Sequence, residues 1–371
     1  MSYYYDRVIG LDLGNGLVNI RSVHKNGKKY LITLPSAYVK KSSLGESVEG
    51  DYEVEGLDFF NIEGIEYAWG KEGIEDIKDE SILITTNGYQ GRYISMAFKR
   101  LAKMALAKAY TDLKIKPSEK VLVVTGTPSE EFRKSANKDL VNAIKGTHDL
   151  EVNGEKLLFK IDAVESQSQP IATVFSMYLG EDGYVENEEF EDMKVGVIDI
   201  GGGTTDYDVV DKFRRQNVYV SRPKGFQKVY ETIRKAIATI NPLYKPTDYN
   251  ILNAINEANK KALKDGGEVQ YLIRTSQREP YVNFTNALNV GLSELAEDIE
   301  STVIKKWESQ TGFDYIFLVG GSASMFEDKI PVVSGFTIPE DSGTTNVEGY
   351  FRWGMALSIE KEEELREEVS V

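Results

Sequence analysis

Two hydrophobic rhythms alternate along the chain. Short blocks in which every residue, or every second one, is apolar predict strands at 7–13, 17–24, 28–34, 120–127, 195–200, 207–210, 217–221 and 315–319. Spacings of three and four predict helices over 92–113, 130–144, 170–178, 226–240, 249–263 and 285–308, and a highly charged helical end at 359–371. The punctuation agrees. Asn26-Gly27 and Asn153-Gly154 mark hairpin turns, Ser129 is placed to cap the helix at 130, and Pro170 stands where a helix begins. Pro35-Ser36 closes a three-stranded antiparallel start. Residues 37 to about 91 are acidic, glycine-spotted and weakly patterned, with short strands expected at 65–69 and 81–85, and they read as an inserted small subdomain. A further strand is expected at 268–275 after Gly266-Gly267, and 181–192 reads as an acidic surface loop. Antiparallel strands followed by alternating helices and strands, twice over, predict an α/β design with helices on the faces of mixed sheets.

Three of the strands empty into bare turns. VGVIDIGGGTTDYD, residues 195–208, carries one carboxylate, Asp199, into Gly201, Gly202 and Gly203, then Thr204 and a second strand. Such a tip lets backbone amides converge on an anion, and a lone acid at the strand end suits a hard cation such as Mg²⁺. An ordinary glycine-rich turn has the same look. The chain repeats the order near its start, where Asp12 precedes Gly14, Asn15 and Gly16 and a strand follows. Two acid-tipped hairpins imply two similar lobes facing one phosphate-sized gap. A third element, the strand 315–319, runs into Gly320-Gly321-Ser322. The set is not a Walker A loop, because no Gly-Lys-Ser/Thr is present. Nor is it a dinucleotide fingerprint, because a strand follows Gly203 where a helix should begin.

Composition narrows the chemistry. With 371 residues, two domains are expected. A formal charge of −15 argues against a direct grip on nucleic acid. The chain has no cysteine and only two histidines, His24 and His148, which disfavours zinc clusters and Ser-His-Asp catalysis. No apolar run reaches membrane-spanning length and no signal peptide is visible, so a cytoplasmic protein without a membrane partner is expected.

The three glycine elements, in this order, resemble the phosphate-1, phosphate-2 and adenosine motifs of the actin, heat-shock-chaperone and sugar-kinase superfamily. Within it the chain is most similar to bacterial plasmid-segregation actins of the ParM type. Gln169-Pro170-Ile-Ala-Thr173, Lys224-Gly225 and Asn346-Val-Glu-Gly-Tyr350 look like further matching segments. The resemblance implies a two-lobed fold of duplicated ribonuclease-H-like domains with the nucleotide in the cleft. Lobe I would be 1–193 plus 346–371, and lobe II 194–345. It implies an ATPase using ATP (or GTP) and Mg²⁺, which forms head-to-tail filaments and moves plasmid DNA through a DNA-binding, ParR-like adaptor. Asp12 and Asp199 would organise Mg²⁺. Gly14, Asn15 and Gly16 would hold phosphates from one lobe, and Gly201, Gly202, Gly203 and Thr204 from the other. Gly320, Gly321 and Ser322 would lie against adenosine, with Gly225 near the ribose. Gln169 would position the attacking water, a role open also to Glu165 or Gln167. Many relatives carry a phosphate-binding lysine seven residues after the first aspartate, where this chain has Asn19. Arg21, on the same side of the strand, could take its place or could merely decorate an exposed strand, and both readings stay open. The alternative activity is a small-molecule, sugar-type kinase of the same fold. A chaperone would need a peptide-binding domain after the ATPase.

Overall fold

The computed structural model describes residues 3–44, 56–70, 82–84, 91–266, 269–274, 280–308, 310–330 and 336–370. The first half holds β1 (Arg7–Leu13), β2 (Leu17–Val23), β3 (Lys29–Pro35), β4 (Ala37–Lys40), β5 (Leu57–Ile62), β6 (Ile65–Gly70) and β7 (Ile82–Ile84). Then come α1 (Met96–Leu113), β8 (Val121–Thr127), α2 (Ser135–Ile144), β9 (Gly146–Val152), β10 (Glu155–Ile161), β11 (Ala163–Ser168) and α3 (Gln169–Tyr178). The second half holds β12 (Lys194–Ile200), β13 (Thr205–Asp211), β14 (Arg214–Arg215), β15 (Val220–Arg222), α4 (Gln227–Ile240) and α5 (Asp248–Asp265). It ends with β16 (Leu272–Ile273), β17 (Val282–Asn283), α6 (Thr285–Trp307), β18 (Tyr315–Val319), β19 (Phe336–Thr337) and α7 (Thr345–Ser370).

The strand orders carry the duplication. In lobe I the order is β11-β8-β1-β2-β3, antiparallel from β1 to β3 and parallel from β1 to β11. In lobe II it is β19-β18-β12-β13-β14, with β15 also on β13 and the same change from parallel to antiparallel at the central strand. The insert and the hairpin β9–β10 share a separate sheet, β10-β9-β5-β6-β4-β7.

Period-2 alternation sorts each central strand between two layers. On β1, Ile9, Leu11 and Leu13 join the α1 cluster, whereas Val8 packs with Tyr350 and Phe351 of α7. On β12, Ile198 and Ile200 face α4 and α6, whereas Val195 and Val197 pack with Val174 of α3. The two connecting helices therefore cross over. Helix α3 leaves lobe I and covers the lobe II sheet, and α7 leaves lobe II and covers the lobe I sheet. Where they meet, Gly349 touches α3 so closely that a Cβ there would lie 1.8 Å from the Ala172 carbonyl oxygen.

Several boundaries differ from the sequence expectation. Pro35 ends the antiparallel start as expected, and the chain then enters the second sheet at once as β4, Ala37–Lys40. The helix expected from 130 begins at Ser135, and Ser129 is no cap. Its amide donates to Asp206 Oδ1 at 2.9 Å and its hydroxyl to Asp208, both in lobe II. The expected strand 217–221 is Val220–Arg222, and the charged helical tail is the end of the single helix α7. Of the strand expected at 81–85, residues 81 and 85 lie outside the described residues. So do 268 and 275 of the strand expected at 268–275, and Gly267 of its turn. Among the described residues no helix is long and apolar enough to cross a membrane.

Candidate active site in the inter-lobe cleft

Both acid-tipped hairpins open onto one cavity of about 380 Å³ between the lobes. Asp12, Gly14, Asn15, Gly16 and Asn19 line it from lobe I, and Asp199, Gly201, Gly202, Thr204, Gly320, Gly321 and Ser322 from lobe II. Gln169 lines it at the start of α3, whereas Glu165 and Gln167 do not. The hairpin tips press together: a Cβ on Gly202 would lie 3.3 Å from the Gly16 amide, and one on Gly203 would lie 2.5 Å from Asn15 Nδ2. Gly203 thus meets the facing hairpin without lining the cavity. Gly225 sits beneath hairpin 2, where a Cβ would lie 2.5 Å from Gly201 O and 2.6 Å from Gly202 O. Its position is a packing position, not a wall of the cavity.

The carbonyls of both tips are drawn back by the protein. Behind hairpin 2, the amides of Phe226 and Gln227 at the start of α4 donate to Gly201 O and Gly202 O at 3.0 and 2.9 Å. Behind hairpin 1, the Ser36 hydroxyl donates to Gly14 O at 2.7 Å and its amide to Gly16 O at 2.9 Å. The hydroxyl of Tyr249, held near the start of α5 by the Thr247 capping box, also donates to Gly16 O, at 3.0 Å. With these carbonyls engaged, the loop amides other than that of Gly201, which donates to Thr204 O at 2.9 Å, are the groups left for an anion. Gly16 offers a clean test, since no atom lies within 4 Å of a Cβ built there. Gly16→Ala should leave the urea midpoint unchanged and weaken ATP binding about tenfold, because the methyl takes space at the cavity wall. Calorimetric titration measures the second effect, and an unaltered affinity would remove Gly16 from the site.

Three buried carboxylates face this space. Burial raises all three acids. Asp199 is pushed up to about 6, first by desolvation and then by the charge of Asp12, against the Asn346 amide that donates to it. Asp206, which also lines the cavity, is pushed up to about 7, by desolvation and then by Asp199. Asp12 is raised by desolvation, partly offset by Gln169, Asn19 and the charge of Arg92. Gln169 Nε2 donates to Asp12 Oδ1 at 3.4 Å and Asn346 Nδ2 to Asp199 Oδ2 at 2.7 Å, while Thr173 on α3 orients Asn346 at 3.0 Å. Mutually repelling acids at the edge of an anion cradle fit a hard divalent cation. Among the described residues no three ligand side chains are arranged to bind one metal ion directly. Asp12 and Asp199 would be the residues to hold a divalent cation such as Mg²⁺, which would then take its remaining ligands from water or a bound anion.

One expectation is corrected. Arg21 does not face the cavity. Strand pairing sets Asn19 opposite Asp12 but Arg21 opposite Gly10, a step deeper under α7. The Arg21 side chain is fully buried, donates to Glu348 at 2.9 Å and to Glu181 at 3.1 Å, and lies 4.2 Å over the Phe351 ring. It ties β2 to α7, and an absent Cβ at Gly10 gives α7 room to approach. Sequence reasoning missed Arg92, Asp206, Tyr249 and Asn346 as cavity-lining groups. Asp206 had a signal, lying in the same TTD segment as the hairpin. Arg92 and Tyr249 reach the cleft by contacts across long stretches of chain and left none.

Comparison with known proteins bears on this geometry. Residues 10–171 match the family described as the actin like proteins N terminal domain. The sequence matches no curated protein. Among solved structures, the apo psk41 ParM protein superposes with a TM-score of 0.68 at 20% identity, covering 96% of this chain and 99% of that one. Bacillus thuringiensis ParM with ATP gives 0.67 at 16% identity, covering 96% and 99%. A 15-stranded ParM filament from Clostridium botulinum gives 0.66 at 18% identity, covering 94% and 99%. The actin-like N-terminal domain match thus covers 10–171, and the fold over nearly the whole chain, with its duplicated sheets and shared cleft, is similar to that of these ParM structures.

Proposed function

We propose that the chain is a nucleotide-dependent filament former that binds ATP (or GTP) with Mg²⁺ in the cleft and hydrolyses it. The observation that carries this reading is the convergence of two acid-tipped glycine hairpins, carbonyls drawn back, on one cavity. Phosphoryl transfer to water asks a protein mainly for positioning and charge neutralisation. In this reading Asp12 and Asp199 hold the waters of a divalent cation, which supplies charge neutralisation at the phosphates. The hairpin amides orient the β- and γ-phosphates, and Gln169, at the cavity wall beside Asp12, orients the attacking water. Gly320, Gly321 and Ser322 bound the adenosine side. A nucleotide gripped from both lobes favours the closed shape, and loss of the γ-phosphate weakens that bias.

Assembly into head-to-tail filaments, and carriage of plasmid DNA through a ParR-like adaptor, rest on the likeness to ParM proteins, one of which is a filament. Contacts between different faces of one protomer do not close and so propagate. The net charge of −15 is consistent with DNA being held by an adaptor. The experiment is sedimentation with and without ATP and Mg²⁺, followed by electron microscopy of the pellet. Nucleotide-dependent pelleting into filaments is expected. Protein that stays in the supernatant at every concentration, while consuming ATP only with an added sugar, would replace this reading with a kinase.

A further inference from the structure

We infer that Arg92 is the positive charge the cleft sets behind hairpin 1, and the residue that turns that hairpin's amides toward a polyphosphate. The inference rests on the nucleotide reading above. It begins from an asymmetry between the two hairpins. Hairpin 2 is backed by the amino end of the 14-residue helix α4, whose first amides hold its carbonyls and whose dipole favours an anion in front of them. Hairpin 1 leads from one strand into another, and among the described residues no helix backbone amide donates to its carbonyls. A guanidinium stands there instead. Arg92 donates to Leu13 O and, at 3.3 Å, to Gly14 O, while its other arm donates to Asn15 Oδ1. One planar fork thus fixes two carbonyls and the tip side chain, as a helix end does for the other lobe.

The charge has carboxylates in range, Asp12 and Glu131, but is paired with neither. Arg92 is buried and lines the cavity. Its guanidinium lies 5.1 Å from the ring centres of both Tyr93 and Phe98. Among the described residues no carboxylate forms an ion pair with it, and its Nε has no hydrogen-bond partner. Glu131, which feels its charge, accepts from the Tyr93 hydroxyl at 2.8 Å instead. Arg21, also buried, behaves differently and is paired with Glu348, as the part-buried Arg215 is with Asp208. A buried cation held by carbonyls, the Asn15 side-chain oxygen and ring faces, with Asp12 and Glu131 feeling its charge but not paired with it, is only partly compensated until an anion arrives. The adjoining cavity is where an anion would enter.

The test compares ATP, ADP and AMP binding by calorimetry for the parent, Arg92→Gln, Arg92→Lys and Asn15→Ala. Arg92→Gln should weaken ATP binding about ten- to a hundredfold, the worth of a charge-assisted hydrogen bond. ADP should lose less, and AMP should change by less than about twofold. Arg92→Lys should recover part of the ATP affinity by restoring the charge without the fork. Asn15→Ala should show a smaller loss graded in the same way. Should Arg92→Gln fail to fold, the lysine and Asn15 variants carry the same comparison. Equal losses for all three nucleotides would mean that Arg92 only supports the fold, and unchanged ATP affinity would likewise overturn the inference. A parent protein that binds none of them overturns the nucleotide reading itself.

Discussion

An Asp199→Asn protein should be more stable than its parent above pH 7 and inert as a hydrolase. The side chain is buried and desolvated beside Asp12, which pushes it up from an ordinary 3.8 to about 6. Between about pH 4 and pH 6 the native state keeps a proton that the unfolded chain has lost. Stability from this group therefore falls as pH rises through that window, and above it the folded protein carries an ill-solvated charge. A shift of this size corresponds to on the order of 2–3 kcal/mol. Asparagine removes the charge while keeping an oxygen to accept from Asn346 Nδ2. The urea midpoint at pH 7.5 should accordingly rise, and the difference from the parent should vanish near pH 4. Phosphate release should drop by at least about a hundredfold, since charge stabilisation by a bound cation is worth several kcal/mol. Matching midpoints at pH 7.5 together with near-parental turnover would show that Asp199 is neither strained nor catalytic.

Gly349→Ala should strongly destabilise the protein where α3 and α7 cross. The new carbon would sit 1.8 Å from Ala172 O and 2.5 Å from its carbonyl carbon, and backbone of a packed helix cannot step aside as a side chain would. Helices α3 and α7 must separate, at a cost of about 3 kcal/mol. The damage should also reach the cleft. Asn346, less than one helical turn before Gly349, joins Thr173 of α3 to Asp199 of lobe II, and its two bonds depend on the helix spacing. Urea unfolding should report the first loss, and weakened ATP binding in the folded fraction the second. A midpoint shift worth less than about 0.5 kcal/mol would mean that the crossing is looser than its geometry implies.

Most of the architecture was legible because strand and helix periods, and glycine after a buried strand, are local signals. The hairpins at Asp12 and Asp199 and the Gly320 turn could be placed from a dozen residues each. What failed was whatever depended on where an element lies along its neighbour. Alternation put Arg21 on the same face as Asn19 correctly, yet α7 covers one residue and the cleft takes the other. Ser129 looked like a helix cap because serine before a helical pattern usually is one. Its amide and hydroxyl instead meet Asp206 and Asp208, more than seventy residues later in the other lobe. Arg92 began a strongly periodic helix, and nothing in its surroundings announced Asn15 as a partner. Local chemistry fixes elements; docking between lobes decides which of their polar residues acquire chemistry.

The cleft holds more carboxylates than cations, and this restricts what it can admit. A bare triphosphate approaching Asp12, Asp199 and Asp206 would meet repulsion that the two guanidiniums of the cavity, Arg92 and the Asp248-paired Arg234, cannot cancel. If the nucleotide reading holds, the pocket is a receptor for a salt, in which anion and counterion arrive together and neither is welcome alone. Chelating the counterion should then expel the nucleotide, although every protein group that touches it is intact.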